Sequence, residues 1–442
     1  MIEHNPVSAT EPRRVRVAVI GAGDRGQVYA SWIKSNPTRA QLVAVADPLE
    51  YRRELVAGAE QDVQRFDTWQ DLVAQPKVAD LAIVATQDAH HSAPAIALAE
   101  AGYAVLLEKP IAPTEQECND IIDAIDRTGV MFGICHVLRY TPYTKMVKNA
   151  VDSGVLGQIM DIQHLEPVGW WHQAHSYVRG KWRQEETASP MLLAKSCHDI
   201  DWIRYIAGVP IEKIVSFGDL THFTQANKPA AAGEALRCTD CALVNECPYS
   251  APKIYLGAFD RDGYKWPTSV ITEIPTREAI QDALESGPYG RCVYECDNDV
   301  VDHQSVMMQL QGGMQATFTM TAFSEQTHRQ TRIFGSHGYL ECDGVNMRVL
   351  DFRTGEFKDS HIGDFGGSNA ADGHGGGDAG LMDAFIQAIE SESPELITSG
   401  ARESLASHLA VFAAEKSRRD GTIHQVPVEP TRHASTTTIT KE

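Results

Sequence analysis

The chain has 442 residues, enough for two domains, and its 43% hydrophobic and 22% charged content is ordinary for a globular protein. A formal net charge of −20 opposes nucleic acid and anionic membrane as partners, since both select a basic surface. No apolar run reaches the roughly 18–20 residues that span a bilayer, and no signal region follows Arg13 and Arg14, so a cytoplasmic protein is expected whose nine cysteines form no structural disulfides.

Residues 1–13 read as a flexible N-terminus. Val15 to Ile20 is a short apolar run suited to a buried parallel strand, and it enters Gly21-Ala-Gly23-Asp-Arg-Gly26 ahead of a helical stretch. Gly21 permits a tight turn, Gly23 lets a pyrophosphate approach the backbone, and Gly26 lets helix and strand pack closely. The next apolar run, "QLVAVAD", ends in Asp47 about 20 residues beyond the last glycine. A carboxylate there binds both ribose hydroxyls and repels a 2′-phosphate, which favours NAD over NADP.

The alternation continues through "ADLAIVAT", a helical "SAPAIALAEAG", "AVLLE", a helix opened by Thr114 and Glu117 and closed by Gly129, and "VMFGICH". A doubly wound parallel sheet over residues 14–137 is expected. "ATQDAHH" and "EKP" follow strand ends, where open α/β sheets bind ligands, and Pro110 restricts the backbone of Lys109.

The succession "GAGDRG", "ATQDAHH", "EKP", "RYTP" (Arg139 to Pro142) and "KSCHDID" (Lys195 to Asp201) resembles the Gfo/Idh/MocA family of glucose-fructose oxidoreductases, inositol dehydrogenases and their relatives. The resemblance covers roughly Val15 to Gly344 and returns weakly in the C-terminal helices. It implies an N-terminal Rossmann domain followed by a C-terminal α/β domain on a large, mainly antiparallel sheet. That sheet commonly forms an oligomer interface, so a homo-dimer or homo-tetramer is implied. It also implies that Lys109 contacts nicotinamide ribose and substrate hydroxyl, that His198 acts as acid or base, that His91 lines the cofactor cleft, and that Tyr140 joins the catalytic set. Inositol dehydrogenases carry an aspartate four residues before that histidine. Here the position is Ala194 and Lys195 follows, so Lys195 and Lys109 are expected to flank the reacting hydroxyl. The expected cofactor set is Gly21, Gly23, Asp24, Arg25, Gly26, Asp47, Thr86, His91, Glu108 and Lys109.

The chemistry fits these residue types without the family. Taking hydride from a secondary alcohol requires removing its proton, for which a base titrating near neutrality is best suited, and histidine is one. Two neighbouring lysines depress each other's pKa and stabilise a developing alkoxide.

Residues 138–426 read as a substrate and oligomerisation domain, and 427–442 as a flexible tail. After a strand at "IMDIQHL", the loop from Glu166 carries Trp171, His172, Arg179, Lys181, Trp182 and Arg183. Tryptophans stack on sugar faces and cations bind hydroxyls or anions, so these six are substrate-binding candidates. The competing reading is a loop packed on its own aromatics. "QSVMMQLQGGMQATFTMTAF" is a hairpin turning at Gly312-Gly313, with Val306, Met308 and Leu310 on one face and Met314, Ala316, Phe318 and Met320 returning. Near "HGGGDAG", His374 is placed to enter the site.

An insertion at 221–302 carries Cys238, Cys241 and Cys247 in "RCTDCALVNEC", then Cys292 and Cys296. Cys-x2-Cys is a chelating spacing, and a structural zinc on Cys238, Cys241, Cys247 and Cys292 is expected, with Cys296 the rival fourth ligand. An iron–sulfur cluster and unligated thiols are the alternatives.

Together these readings point to an NAD-dependent enzyme transferring hydride at a ring secondary alcohol of a sugar, cyclitol or glycoside. One alternative is an NAD-dependent glycoside hydrolase with transient ring oxidation, on an anionic (sulfonated or carboxylated) sugar. A non-catalytic NAD-binding regulator is another.

Overall fold

The computed structural model describes residues 14–59, 62–366 and 373–427. The expected flexible ends lie outside these residues except for Pro427.

The apolar runs of the first third form β1 (Val15–Ile20), β2 (Ala40–Ala46), β3 (Gln64–Phe66), β4 (Leu81–Val84), β5 (Ala104–Leu107) and β6 (Phe132–Ile134). They pair in parallel in the order β3-β2-β1-β4-β5-β6. Helices cover both faces, which is why a strand such as Leu81–Val84 is apolar and buried throughout. Strand order reverses between β1 and β4, and this switch point opens a crevice at the carboxyl ends of the strands. The helix Glu115–Thr128 begins where the Thr114 side chain accepts the Glu117 N–H and ends at left-handed Gly129.

The second sheet comprises β7 (Ile159–Pro167), β8 (Ile211–Asp219), β9 (His303–Leu310), β10 (Gln315–Thr321), β11 (Gln330–Gly335), β12 (Gly338–Cys342), β13 (Asn346–Asp351), β14 (Glu356–His361) and β15 (His424–Gln425). Their order is β14-β13-β12-β11-β7-β10-β9-β8-β15, antiparallel except where β7 runs parallel to β10. In the β9–β10 hairpin Met308 lies opposite Ala316 and Val306 opposite Phe318, all buried. Gly312 and Gly313 make the turn with φ of 82° and 87°, a left-handed conformation that side chains resist. Helices Cys197–Ala207 and Ala401–Asp420 pack on the inner face. One continuous apolar core joins that face to the Rossmann sheet.

The insertion folds as helices Ala251–Asp262, Thr268–Ile271 and Arg277–Ser286 around a small separate core containing Tyr255, Ile280, Leu284 and Val293. Ala174 and Val178, from the helical turn Ala174–Arg179, complete that core, so the substrate-candidate loop is fastened to the insertion. Among the described residues no helix is long and apolar enough to cross a membrane.

Candidate active site

A cleft of about 1990 Å³ runs from the glycine turn across the strand ends to the second sheet. At one end, Gly21 has φ +90°, and a Cβ there would lie 2.6 Å from the Ala85 carbonyl oxygen; at Gly26 a Cβ would meet the Gly21 oxygen at 2.1 Å. The fold itself therefore requires these two glycines. Around Gly23 the space is open, with nothing within 4 Å of a Cβ, so its missing side chain serves whatever enters the cleft. Helix Asp24–Ser35 begins at Gly23 without a side-chain cap, which leaves the first-turn N–H groups, including those of Asp24 and Arg25, for an anion. Asp47 lies at the end of β2, and its carboxylate accepts the Ala22 N–H at 2.8 Å and the Leu49 N–H at 2.9 Å. Open space at Gly23, uncapped amides and a fixed carboxylate suit a dinucleotide's pyrophosphate and ribose.

Thr86 and Glu108 also line the cleft, after β4 and β5. Glu108 is buried in a network: it accepts Arg25 Nε at 2.5 Å, the Tyr29 hydroxyl at 2.6 Å and the Lys109 N–H at 3.0 Å. Arg25 also pairs with Asp378 at 2.5 Å, tying the Rossmann helix to the C-terminal helix Gly377–Ser391. Burial raises the Glu108 carboxyl, but Arg25 and Tyr29 outweigh it and hold the group below its ordinary range.

Lys109, Lys195 and His198 line the middle of the cleft. Lys109 Nζ donates to the Ala194 carbonyl at 2.5 Å. That contact brings Lys109 beside Lys195, the next residue. Lys195 Nζ pairs with Glu166 Oε1 at 3.1 Å. Glu166 Oε2 lies 2.9 Å from Arg329 Nε, and Arg329 Nε donates to Asp199 Oδ1 at 2.8 Å. His164 Nε2 is 3.2 Å from the same Asp199 oxygen. Burial depresses Lys195; Glu166 opposes the shift, while Arg329 and Lys109 reinforce it, leaving the ammonium easier to deprotonate than a surface lysine. Behind His198 stands His136, ring centroids 5.8 Å apart, whose burial pushes its pKa down to about 3, so a neutral imidazole backs the site.

Several expected residues lie elsewhere. His91 is fully buried, with Nδ1 2.7 Å from the Pro110 carbonyl and Nε2 3.2 Å from that of Thr86; it braces two cleft loops from behind instead of lining the cleft. Tyr140 is buried against Ser399, 2.9 Å from hydroxyl to hydroxyl, and is an anchor outside the cleft. Of the loop candidates, His172, Lys181 and Trp182 line the cleft, with Lys181 Nζ 4.6 Å from the Trp182 ring centroid. Trp171 packs against the insertion core. Arg179 is buried there, donating to the carbonyls of Arg291 and Tyr249 at 2.7 Å each and to Cys238 Sγ at 3.4 Å. Arg183 pairs with Asp297 on the outer side of the loop. The side chain of His374 lies outside the described residues.

The expected structural zinc finds no support among the described residues. Among the described residues no group of three or more His, Cys, Asp or Glu is arranged to hold a metal ion. Cys238, Cys241, Cys247 and Cys292 form no disulfide. The Cys238 thiol faces the Arg179 guanidinium and the Arg291 carbonyl, and Cys296 donates to the Cys292 carbonyl at 3.2 Å. Cys238 and Cys296 thus have local partners of their own.

Glu166 and Arg329 had not been singled out. A signal for Glu166 was present: Ile162, His164 and Glu166 share the inward parity of β7, and two polar side chains at apolar positions mark a buried polar site. Arg329 carried no comparable mark, because only the pairing of β11 with β7 brings it alongside.

Two family descriptions match the chain: "Oxidoreductase family, NAD-binding Rossmann fold" over residues 15–136, and "Oxidoreductase family, C-terminal alpha/beta domain" over 148–429. A 2,7-anhydro-N-acetylneuraminate hydratase of Mediterraneibacter gnavus is 28% identical over 273 residues, 61% of this chain and 67% of that protein. The scyllo-inositol 2-dehydrogenase (NAD(+)) of Bacillus subtilis is 27% identical over 214 residues, 46% of this chain and 57% of that protein. The chain thus spans little more than half the length of several curated relatives. Among solved structures, an oxidoreductase from Agrobacterium radiobacter in complex with NAD+, L-tartaric acid and magnesium superposes with a TM-score of 0.68 at 13% identity, covering 94% of this chain and 99% of that one. With both domains matched, the chain belongs to the Gfo/Idh/MocA oxidoreductase family.

Proposed function

We propose that the protein oxidises a ring secondary alcohol of a sugar, cyclitol or glycoside, with NAD as cofactor. The observation that carries this reading is the convergence of Lys109, Lys195 and His198 in the cleft that holds the glycine turn and Asp47. Bound NAD supplies the hydride acceptor. Lys109, anchored on the Ala194 carbonyl, and Lys195, anchored on Glu166, flank the hydroxyl oxygen and stabilise it as its proton leaves. His198 takes that proton. The alcohol loses one proton and one hydride and becomes a ketone. Three convergent acid/base groups have no purpose in a non-catalytic NAD-binding regulator, which ranks that reading lower.

A second reading, redox-neutral cleavage of a glycoside with the hydride returned, is favoured by the similarity to proteins named as hydratases, since adding water exchanges no electrons overall. Incubating the holoenzyme with free sugars and aryl glycosides, while following NADH and aglycone absorbance together, decides between them. NADH accumulation supports oxidation, aglycone release without NADH supports the second reading, and neither signal with any sugar overturns both. Asp47→Ala is expected to narrow a preference for NAD over NADP; equal affinities in the parent remove the role of Asp47.

A homo-oligomer through the second sheet is part of the proposal. Phe217 and Met307 stand 68% and 55% exposed on neighbouring strands of its outer face, an apolar surface suited to a second copy. Sedimentation of the parent as a monomer would remove this element.

A further inference from the structure

We propose that the cysteine-bearing insertion builds a second binding subsite in the cleft, with Trp266 as a stacking platform, so that the substrate is a glycoside whose ring substituent rests on Trp266 rather than a free monosaccharide. The inference rests on the reading of the cleft as a sugar-oxidising site and extends it to the far side of the glycosidic bond.

Lys265 and Trp266 come from the segment joining helices Ala251–Asp262 and Thr268–Ile271, and Ser269 from the second of these helices, distant in sequence from Lys109 and Lys195, yet they line the same cleft. Trp266 is supported from behind by the rings of Trp171, His172 and His175, with centroids at 5.1, 5.1 and 5.4 Å. The two histidines meet it edge-on, at 82° and 89°. Despite these contacts Trp266 stays 42% exposed. A tryptophan placed only to fill the insertion core would be covered, as Tyr255 is. A rigidly backed indole left open inside a cleft offers a flat apolar face edged by polar groups, the arrangement that receives the C–H face of a sugar or an aryl ring.

His172 connects this platform to the reacting groups. Its Nδ1 lies 3.4 Å from Gln326 Nε2, and Gln326 also lines the cleft. Burial, followed by the positive charge of Lys195, lowers the His172 pKa and keeps the ring neutral, so the residue that packs on Trp266 also feels the lysine pair. Size agrees. Single-ligand pockets run to about 300–1,000 Å³, and the cleft of about 1990 Å³ accommodates a dinucleotide and an extended second ligand.

The test uses the full chain loaded with NAD. Probes are the 4-nitrophenyl glycosides of glucose, galactose, mannose, N-acetylglucosamine and glucuronic acid, the disaccharides maltose, cellobiose and lactose, and the free sugars. Calorimetric titration gives the affinity of each glycoside relative to its parent sugar. At least one glycoside is expected to bind about 3- to 10-fold more tightly than its parent sugar, the scale of one aromatic stack. Trp266→Ala is expected to bring that ratio close to one, and Trp266→Phe to restore most of it, with unchanged melting temperature showing that the insertion stays folded. Nitrophenyl glycosides gaining while disaccharides do not identifies an aryl substituent; the reverse identifies a second sugar. Glycosides binding no better than free sugars, or Trp266→Ala weakening both alike, overturns the subsite. The two levels fail separately. Glycosides that bind on Trp266 but are never oxidised or cleaved keep the subsite and overturn the oxidation reading. Free sugars turned over with no gain from any glycoside keep the oxidation reading and overturn the subsite.

Discussion

Arg179, buried in the cleft wall, and Arg329, half-buried in the cleft lining, have partners that differ in kind. Arg329 lies at the floor against two carboxylates, Asp199 and Glu166, which hold its charge in place although burial disfavours it. Through Glu166 that charge is coupled to Lys195, so the floor is an electrostatic assembly on sheet and helix. Arg179 lies in the wall against two backbone carbonyls and a thiol, with no carboxylate among its hydrogen-bond partners. Its work is mechanical: it fastens the turn that carries Tyr177 toward the cleft to the segments bearing Tyr249 and Arg291. Damage to the floor should therefore appear in the chemistry and in global stability. Damage to the wall should appear in substrate grip and in the local stability of the insertion.

The largest effect is expected at the floor. Asp199→Asn removes a fully buried carboxylate from the half-buried Arg329, and breaking such a pair costs up to about 3–5 kcal/mol. Denaturant unfolding of the variant should show that loss in the transition of the whole chain. A loss confined to the insertion would reverse the assignment of floor and wall.

Turnover comes next. Lys109→Ala and His198→Ala should each lower turnover by about 10² or more while melting near the parent temperature, as expected for an acid/base or electrostatic group. Either variant retaining parent turnover removes that residue from the chemistry. The placement of the glycine turn, Asp47, Lys109 and His198 along one cleft was legible because each sits at a strand end or helix start that the local pattern marks. His91 and Tyr140 were not, because a family motif carries a residue's position without its rotamer, and both turn inward to carbonyl and serine partners. Arg179 and Arg183 looked like loop cations for substrate. Their partners, Tyr249, Arg291 and Asp297, come from 70 or more positions away, beyond any local pattern. The Rossmann sheet and the β9–β10 hairpin were legible because burial on both faces, or on one, leaves continuous or alternating apolar runs, whereas the rest of the second sheet was expected from the family resemblance. The order of the nine strands depends on pairings distant in sequence.

Arg179→Met tests the wall. It leaves the carbonyls of Arg291 and Tyr249 without their donor, which costs about 1–3 kcal/mol for buried acceptors. The expected outcome is faster hydrogen exchange across the insertion and the turn Ala174–Arg179, and a higher KM with a smaller change in kcat. A fall in kcat comparable to that of Lys109→Ala would show that the wall takes part in the chemistry, and the contrast with Arg329 would collapse.

The smallest effect, and the one that most sharpens the contrast, separates two cysteines of one Cys-x2-Cys pair. A shared metal would make Cys238 and Cys241 equivalent, since losing either thiolate opens the coordination sphere. The structure makes them unequal. Cys238 is buried and its sulfur accepts from Arg179, whereas Cys241 is half-buried and its sulfur is outside any ligand group among the described residues. Cys238→Ser exchanges a large, weakly polar sulfur for a smaller oxygen beside a buried guanidinium and should cost about 1 kcal/mol. Cys241→Ser should stay within about 0.5 kcal/mol of the parent, as surface-proximal substitutions do. Thermal melting of both variants, with and without a chelator, reads this directly. Equal losses, chelator sensitivity and about one zinc per chain by elemental analysis would show that the thiols converge on a metal after all. Unequal losses and indifference to the chelator assign the cysteines to the packing around Arg179, and with it to the wall that carries Trp266.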